Sequence, residues 1–178
     1  MSAWRRVQHI EAPSAQANIE FTSIPNSYTD LLVVFSLRSS RAAENDAVFV
    51  RINDDAANHS HRFVRGSGSG VGTGSDLNVG FFYAVQGVGN TSTGSTFSNG
   101  MIYIPNYTGS QNKVASLDGV GENAATGAWQ VLDSGLYASS NPVTSIRLYP
   151  EIGPTWMQYS SATLYGITKG SSGGVVVS

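Results

Sequence analysis

Short apolar or alternating segments recur along the whole chain, and glycine, asparagine, serine and proline separate them. The 3.6-residue period of an amphipathic helix is nearly absent. Strands divided by turn-forming residues are typical of an all-β protein. About eleven strands are enough for two packed sheets, so we predict a single antiparallel β-sandwich. The predicted strands are Arg6–Glu11, Asn18–Phe21, Leu31–Arg38, Val48–Asn53, His61–Val64, Leu77–Val85, Gly100–Ile104, Lys113–Leu117, Trp129–Tyr137, Ser145–Tyr149 and Met157–Ile167.

Several strands reveal which side chains face the core. Alternation in Val48–Ile52 places Val48, Val50 and Ile52 inward and Arg51 outward. In the segment 144–148, Ile146 and Leu148 face one way and Arg147 the other. Leu31–Phe35 has no polar face, which predicts a central strand or one whose outer face is covered by another subunit.

Segments rich in glycine, serine and asparagine predict the loops and the C-terminal end of the domain. The segment 66–76 reads GSGSGVGTGSD and predicts a flexible loop, and further polar loops are predicted at Gly87–Gly94 and Gly119–Gly127. Asn53–Asp54–Asp55 follows an alternating strand and predicts a hairpin turn, with a calcium site as the alternative. The sandwich is predicted over residues 1–169 and a flexible C-terminal arm over residues 170–178.

The charge content restricts the classes of partner. Charged residues make up 12% of the chain and the net charge is −2, which argues against neutralising nucleic-acid phosphates. There are no cysteines, so neither disulfides nor thiolate metal sites are expected. The longest apolar run, Leu31–Phe35, is too short to cross a bilayer. The residues after Arg5 and Arg6 form no apolar leader, so we expect no membrane association.

No group of residues predicts catalysis or a cofactor. The glycines at 66–74 precede a strand and not a helix, which is unlike a dinucleotide site. His59 and His61 are two residues apart and lack a clear third ligand. We therefore predict that they lie on a solvated hairpin edge, with a metal site as the alternative. Asp133 stands in an apolar strand and is expected to pair with a buried arginine or to face solvent. We therefore expect a non-enzymatic protein without a metal or cofactor.

Fold-making motifs along the chain carry a family resemblance. They are Ile19–Pro25, Tyr28–Leu31, Arg38–Ser39, Arg51–Asp54, Ile104–Tyr107 with Lys113, and Ala162–Ile167. Within the last motif, Gly166 fits a strand to which a neighbour approaches closely. With these motifs, residues Trp4 to Lys169 resemble small jelly-roll-like virion structural proteins of tailed bacteriophages. The resemblance implies a capsid decoration (cement) protein or a tail- or fibre-associated protein, made in the host cytoplasm and located in the virion.

This resemblance also implies binding partners. They are the major capsid protein or other virion proteins, and a homotrimer is expected from the low charge and from Leu31–Phe35. The C-terminal arm with Val175, Val176 and Val177 either adds a strand to a neighbour or is a frayed tail. An N-terminal arm with Trp4 and Arg5 is the other predicted attachment segment. A fibre-like role would instead bind carbohydrate through exposed aromatic residues such as Trp129, Trp156 or Tyr107.

Overall fold

The computed structural model describes residues 4–68, 70–122 and 127–168. These residues form twelve strands and no helix; the described part of the chain accordingly contains no helix of a kind that crosses membranes. The strands are β1 (Trp4–Glu11), β2 (Ile19–Phe21), β3 (Asp30–Leu37), β4 (Asn45–Ile52), β5 (His59–Gly66), β6 (Val71–Val79), β7 (Phe82–Val88), β8 (Ser98–Ile104), β9 (Lys113–Glu122), β10 (Ala128–Tyr137), β11 (Ile146–Pro150) and β12 (Ser161–Ile167).

The strands form two antiparallel sheets. The large sheet has the order β1-β12-β3-β8-β9-β10-β5-β6, and the small sheet has the order β2-β11-β4-β7. Strands from the two ends of the chain pair with each other, as β1 does with β12 and β2 with β11. Inner strands pair with inner strands, as β4 does with β7 and β5 with β10. Two antiparallel sheets with a shared core form a β-sandwich, so the predicted β-sandwich is confirmed.

Alternation along the strands fills the core as the sequence predicts. Val48, Val50 and Ile52 of β4 are fully buried, whereas Arg51 points away from the core. Ile146 and Leu148 of β11 are buried in the same cluster. The apolar run in β3 lies between β12 and β8, in the interior of the large sheet. The predicted faces of these strands are therefore confirmed.

Strand β7 lies at the edge of the small sheet, yet all seven of its residues are buried. One side of β7 packs on β9, where Gly119 has no side chain and Val85 occupies the space of a Cβ. On its other side, the ring of Tyr83 contacts Phe63 of β5. The backbone N–H of Tyr83 donates to Asp133 of β10 at 3.1 Å. The large sheet therefore curls around β7 and covers the edge of the small sheet.

The predicted flexible loop at 66–76 is wrong over most of its length. Residues from Val71 onward form β6, which pairs with β5 in a hairpin. The backbone N–H of Ser67 donates to the carbonyl of Gly70 at 3.0 Å at the hairpin end. The ring of Phe63 lies over Gly74 and occupies the space that a Cβ of residue 74 would need. Glycine at this position makes room for an aromatic side chain across the hairpin. A single sequence cannot distinguish this use of glycine from the glycine content of a flexible loop.

Other predicted boundaries also shift. The predicted strand Leu77–Val85 is two strands, because the chain turns at 80–81 between β6 and β7. Strand β7 extends to Val88 and β9 to Glu122, so the predicted polar loops at Gly87–Gly94 and Gly119–Gly127 both begin later than expected. Backbone pairing with a neighbouring strand extends these segments beyond their apolar residues.

The described N-terminus is a strand and not a free arm. Trp4 pairs with Ile167 and Arg5 with Gly166, at the open edge of the large sheet that β1 forms. The side chains of both residues are exposed. The ring of Tyr28 lies against Gly166 and occupies the space that a Cβ of residue 166 would need. The expected close approach of a neighbour to Gly166 is thereby confirmed.

Candidate binding surfaces

The outer face of the large sheet carries a group of partly exposed aliphatic side chains. They are Val34, Val64, Met101, Val120 and Leu132, each between 38% and 48% exposed. Four of them lie in one row of register partners that runs Val34–Met101–Asp118–Leu132–Val64 across five strands. We call this central row and the row on each side of it the outer face.

Few charges interrupt the outer face. The row on one side contains Leu32, Tyr103, Ser116, Ser134 and Arg62, and the row on the other contains Ser36, Asn99, Val120, Gln130 and Gly66. Asp118 and Arg62 are thus the two charged residues in these three described rows. Strand spacing and rise give three rows across these five strands an area of about 500 Å². That is smaller than one side of a standard protein interface, about 800 Å².

The opposite surface of the sandwich, on the small sheet, is charged. Arg147 lies 2.7 Å from a carboxylate oxygen of Asp54 and 3.3 Å from one of Glu20. Arg51 lies 3.6 Å from the same carboxylate of Asp54. Such an ion-pair network is well solvated and contributes little to stability. The two surfaces of the sandwich therefore differ, and the outer face of the large sheet is the one suited to a partner.

An aromatic pocket of about 220 Å³ lies where the large sheet curls around β7. Phe49 and Phe81 stack with ring centroids 4.0 Å apart and planes 9° apart. Tyr83 meets the ring of Phe63 edge-on at 4.8 Å. Phe49, Phe63 and Phe81 remain partly exposed, whereas Tyr83 is buried. The polar side chains that line the same pocket are Arg65, Asp76, Gln86 and Glu151.

A buried histidine lies beside this pocket between two carboxylates. His61 is 1% exposed, with Nδ1 3.1 Å from Asp133 and Nε2 3.2 Å from Asp76. The Asp133 side chain is fully buried, whereas that of Asp76 is half exposed. The predicted arginine partner or solvent exposure for Asp133 is therefore wrong, since the group beside its buried carboxylate is the imidazole of His61. Asp76 also lines the pocket, so this array reaches the pocket wall.

His59 is fully buried too, so the predicted solvated edge for these two histidines is wrong. Its Nε2 accepts from the N–H of Ile52 at 3.1 Å, and its Nδ1 donates to the carbonyl of Ala57 at 2.6 Å. The rings of Phe82 and Tyr137 lie 4.9 Å away. Removal from water lowers the pKa of the His59 imidazole below its ordinary value.

This lowered pKa predicts a loss of stability in acid. Below about pH 6.5 the unfolded chain binds a proton at His59 and the folded chain does not, so stability falls as the pH decreases. The expected slope is up to about 1.4 kcal/mol per pH unit. His59→Gln retains a donor and an acceptor but cannot titrate. Urea unfolding at several pH values between 7.5 and 5 should give a smaller loss for His59→Gln than for the wild type. Equal losses would contradict this assignment.

The remaining predicted site residues have varied positions. Trp4 and Arg5 lie on the edge strand β1, and Val175, Val176 and Val177 lie outside the described residues. Trp156 and Tyr107 are 1% and 0% exposed, so they are not surface aromatic residues for carbohydrate. Trp156 donates to the carbonyl of Leu148 at 3.0 Å, and Tyr107 donates to that of Pro25. Trp129 is half-buried beneath the guanidinium of Arg65.

Asn53 and Asp54 form a turn as predicted, but the predicted hairpin is wrong, because β4 and β5 on either side of the turn belong to different sheets. Both have positive φ, 53° and 51°, and the N–H of Asp55 donates to the carbonyl of Ile52 at 3.1 Å. These are the dihedral signs of a type I′ turn. The described residues contain no group of three or more histidine, aspartate or glutamate side chains placed to hold a metal ion.

The aromatic pocket was not predicted from the sequence. A signal for it is present, because alternation places His59, His61, Phe63 and Arg65 on one face of β5. The other residues that line the pocket come from β4, β6 and β7 or lie next to them. The curl of the large sheet brings them together, and no local sequence pattern predicts that curl. No family model matches the chain, and comparison with curated proteins and with solved structures likewise gave no match.

Proposed function

We propose that this chain is a non-enzymatic structural protein of a phage virion, a capsid decoration protein that binds the major capsid protein. The observation that carries the proposal is the outer face, which combines exposed aliphatic side chains with only two charges in its three central rows. The charged surface of the small sheet then faces solvent.

Repetition over a shell supports this role. Interfaces contain few charged residues, and the three rows of the outer face contain two among fifteen positions, Asp118 and Arg62. Asp118 lies at the middle of the central row, so the partner must offer it a hydrogen-bond donor or a cation. A contact of about 500 Å² per subunit, or about 1,000 Å² over both partners, is at the lower bound of a specific interface. When such a contact recurs across a capsid and joins neighbouring subunits, multivalency strengthens attachment without any strong single site.

The proposed assembly is a homotrimer at a local threefold axis. In the described chain, β1 and β6 are the terminal strands of the large sheet, and each presents an unpaired backbone edge. Contact between subunits along these edges leaves the outer face available to the capsid. Light scattering of the purified protein at micromolar concentration measures this state, and three times the chain mass is expected.

A single charge on the outer face tests the proposal. We expect Leu132→Lys to lower occupancy on stripped particles at least tenfold, because a lysine ammonium is then buried against the capsid. Ile152→Lys is the control, since Ile152 is an exposed aliphatic residue (59%, against 48% for Leu132) outside the two sheets. Occupancy is measured by quantitative gel analysis of purified particles, and circular dichroism confirms that both variants fold.

Two results would contradict the proposal. One is unchanged occupancy for Leu132→Lys. The other is a protein found on isolated tails or fibres and not on shells, which would support the tail-associated alternative. Re-addition of the wild-type protein should also raise the temperature at which stripped particles release their DNA.

A further inference from the structure

We propose that the aromatic pocket between β4, β7 and the β5–β6 hairpin binds one pyranose ring of a glycan. This site is separate from the outer face that serves the proposed shell attachment. Neighbouring residues of β5 point to opposite sides of the sheet, so Phe63 and Arg65 line the pocket while Arg62 and Val64 belong to the outer face. A subunit attached through its outer face therefore leaves the pocket open.

The aromatic walls fit the apolar side of a sugar. Phe49, Phe63 and Phe81 are partly exposed in one concave place, where burial against a ligand is favourable. The C–H groups on one face of a pyranose carry partial positive charge, and they pack on the electron-rich faces of aromatic rings. The four rings contact one another edge-on or stacked, at centroid distances between 4.0 and 6.5 Å, so the walls are rigid.

The polar groups select hydroxyls over ions. Arg65 is a donor, Asp76 and Glu151 are acceptors, and Gln86 has both functions. A cation is bound mainly by acceptors and an anion mainly by donors, whereas a sugar hydroxyl donates and accepts at once. A volume of about 220 Å³ lies below the usual range for drug-sized ligands. The pocket is thus suited to a single uncharged ring.

Part of the site, Gln86, is held by hydrogen bonds before any ligand binds, and Asp76 contacts a buried histidine. The carboxylate of Asp76 lies 3.2 Å from Nε2 of His61, which lies against the buried Asp133. The hydroxyl of Tyr83 donates to Gln86 at 2.7 Å, and Gln86 donates to Asn45 at 2.8 Å. Preorganised polar groups reduce the entropy that binding must offset.

The test is an NMR titration of the full-length ¹⁵N-labelled protein with uncharged probes, namely the methyl glycosides of glucose, galactose, mannose and N-acetylglucosamine. We expect at least one to give saturable shifts at millimolar concentration, centred on the amides of Phe63, Arg65, Asp76 and Tyr83. Tetramethylammonium and glucuronate are the cation and anion probes, and we expect neither to bind at the same concentrations.

Three variants locate the binding. Asp76→Asn and Glu151→Gln keep the shape of exposed side chains and should each weaken binding at least tenfold. Val64→Ala, one residue from Phe63 on the outer face, should leave it unchanged. Absence of saturable shifts with all four glycosides, preference for a charged probe, or binding insensitive to both pocket variants would overturn the proposal. The pocket variants should still attach to particles. Failure of the glycan-binding proposal is therefore distinguishable from failure of the proposed capsid attachment.

Discussion

Replacement of Arg38 by alanine is expected to lower the free energy of unfolding by about 4 kcal/mol. Arg38 follows β3 and is 5% exposed. Its Nη1 donates to the carbonyls of Thr93 and Thr96 at 2.7 and 2.8 Å, and its Nη2 to those of Asn90 and Ser92 at 3.1 Å. One guanidinium thus holds the loop at 89–97 between β7 and β8. Alanine leaves four carbonyls without this donor and a cavity in place of the side chain.

Urea unfolding measures this loss, and the melting temperature should fall by roughly 8–16 °C for a chain of this size. Hydrogen exchange should also show lost protection in the loop, at the amides of Thr91 and Thr96. Arg62→Ala is the matched control, because Arg62 is exposed on the outer face. Such a surface change is expected to alter stability by less than about 0.5 kcal/mol. Equal stability of the two variants would refute the role of Arg38.

Replacement of Asp46 by asparagine is expected to lower stability by about 3 kcal/mol. Asp46 is fully buried in β4. Its carboxylate accepts from the hydroxyl of Ser39 at 2.6 Å and from the N–H groups of Ile152 and Gly153 at 3.1 and 2.9 Å. Arg41 lies 3.7 Å from the same group. Asparagine has the same shape, but its amide nitrogen presents hydrogens to a donor that then has no acceptor.

Asp118→Asn makes the same chemical change in the central row of the outer face and should alter stability by less than about 0.5 kcal/mol. Urea unfolding of the two variants gives the comparison. A loss for Asp46→Asn as small as that for Asp118→Asn would show that the buried carboxylate is not needed as an acceptor. A large loss for Asp118→Asn would instead indicate a second buried contact on the outer face.

Local patterns in the sequence carried most of the fold. The alternation in β4 and β11, the apolar run in β3 and the Asn53–Asp54 turn were predicted and are confirmed. Each depends on residues within a few positions of one another, because a strand has a period of two and a turn requires particular dihedral angles. Such features belong to the chain before it folds.

The predictions that were wrong concern features that depend on contacts between distant segments. Glycine-rich β6 was predicted as a loop, because the need for glycine becomes clear only from the contact of Phe63 with Gly74. His59 and His61 were predicted to be solvated, because nothing near them shows that β7 and β10 enclose them. Trp4 and Arg5 were predicted in a free arm, although β12, more than 150 residues away, pairs with them.

The sequence by itself thus determined that this protein is an all-β sandwich, and which faces of its most regular strands are buried. Only the tertiary structure decided where the charges Arg38, Asp46 and Asp133 are buried and how the aromatic pocket and the outer face are assembled. The physical reason is range. Strand periodicity and turn geometry act over a few residues, whereas a buried charge is tolerated only where distant backbone groups converge on it.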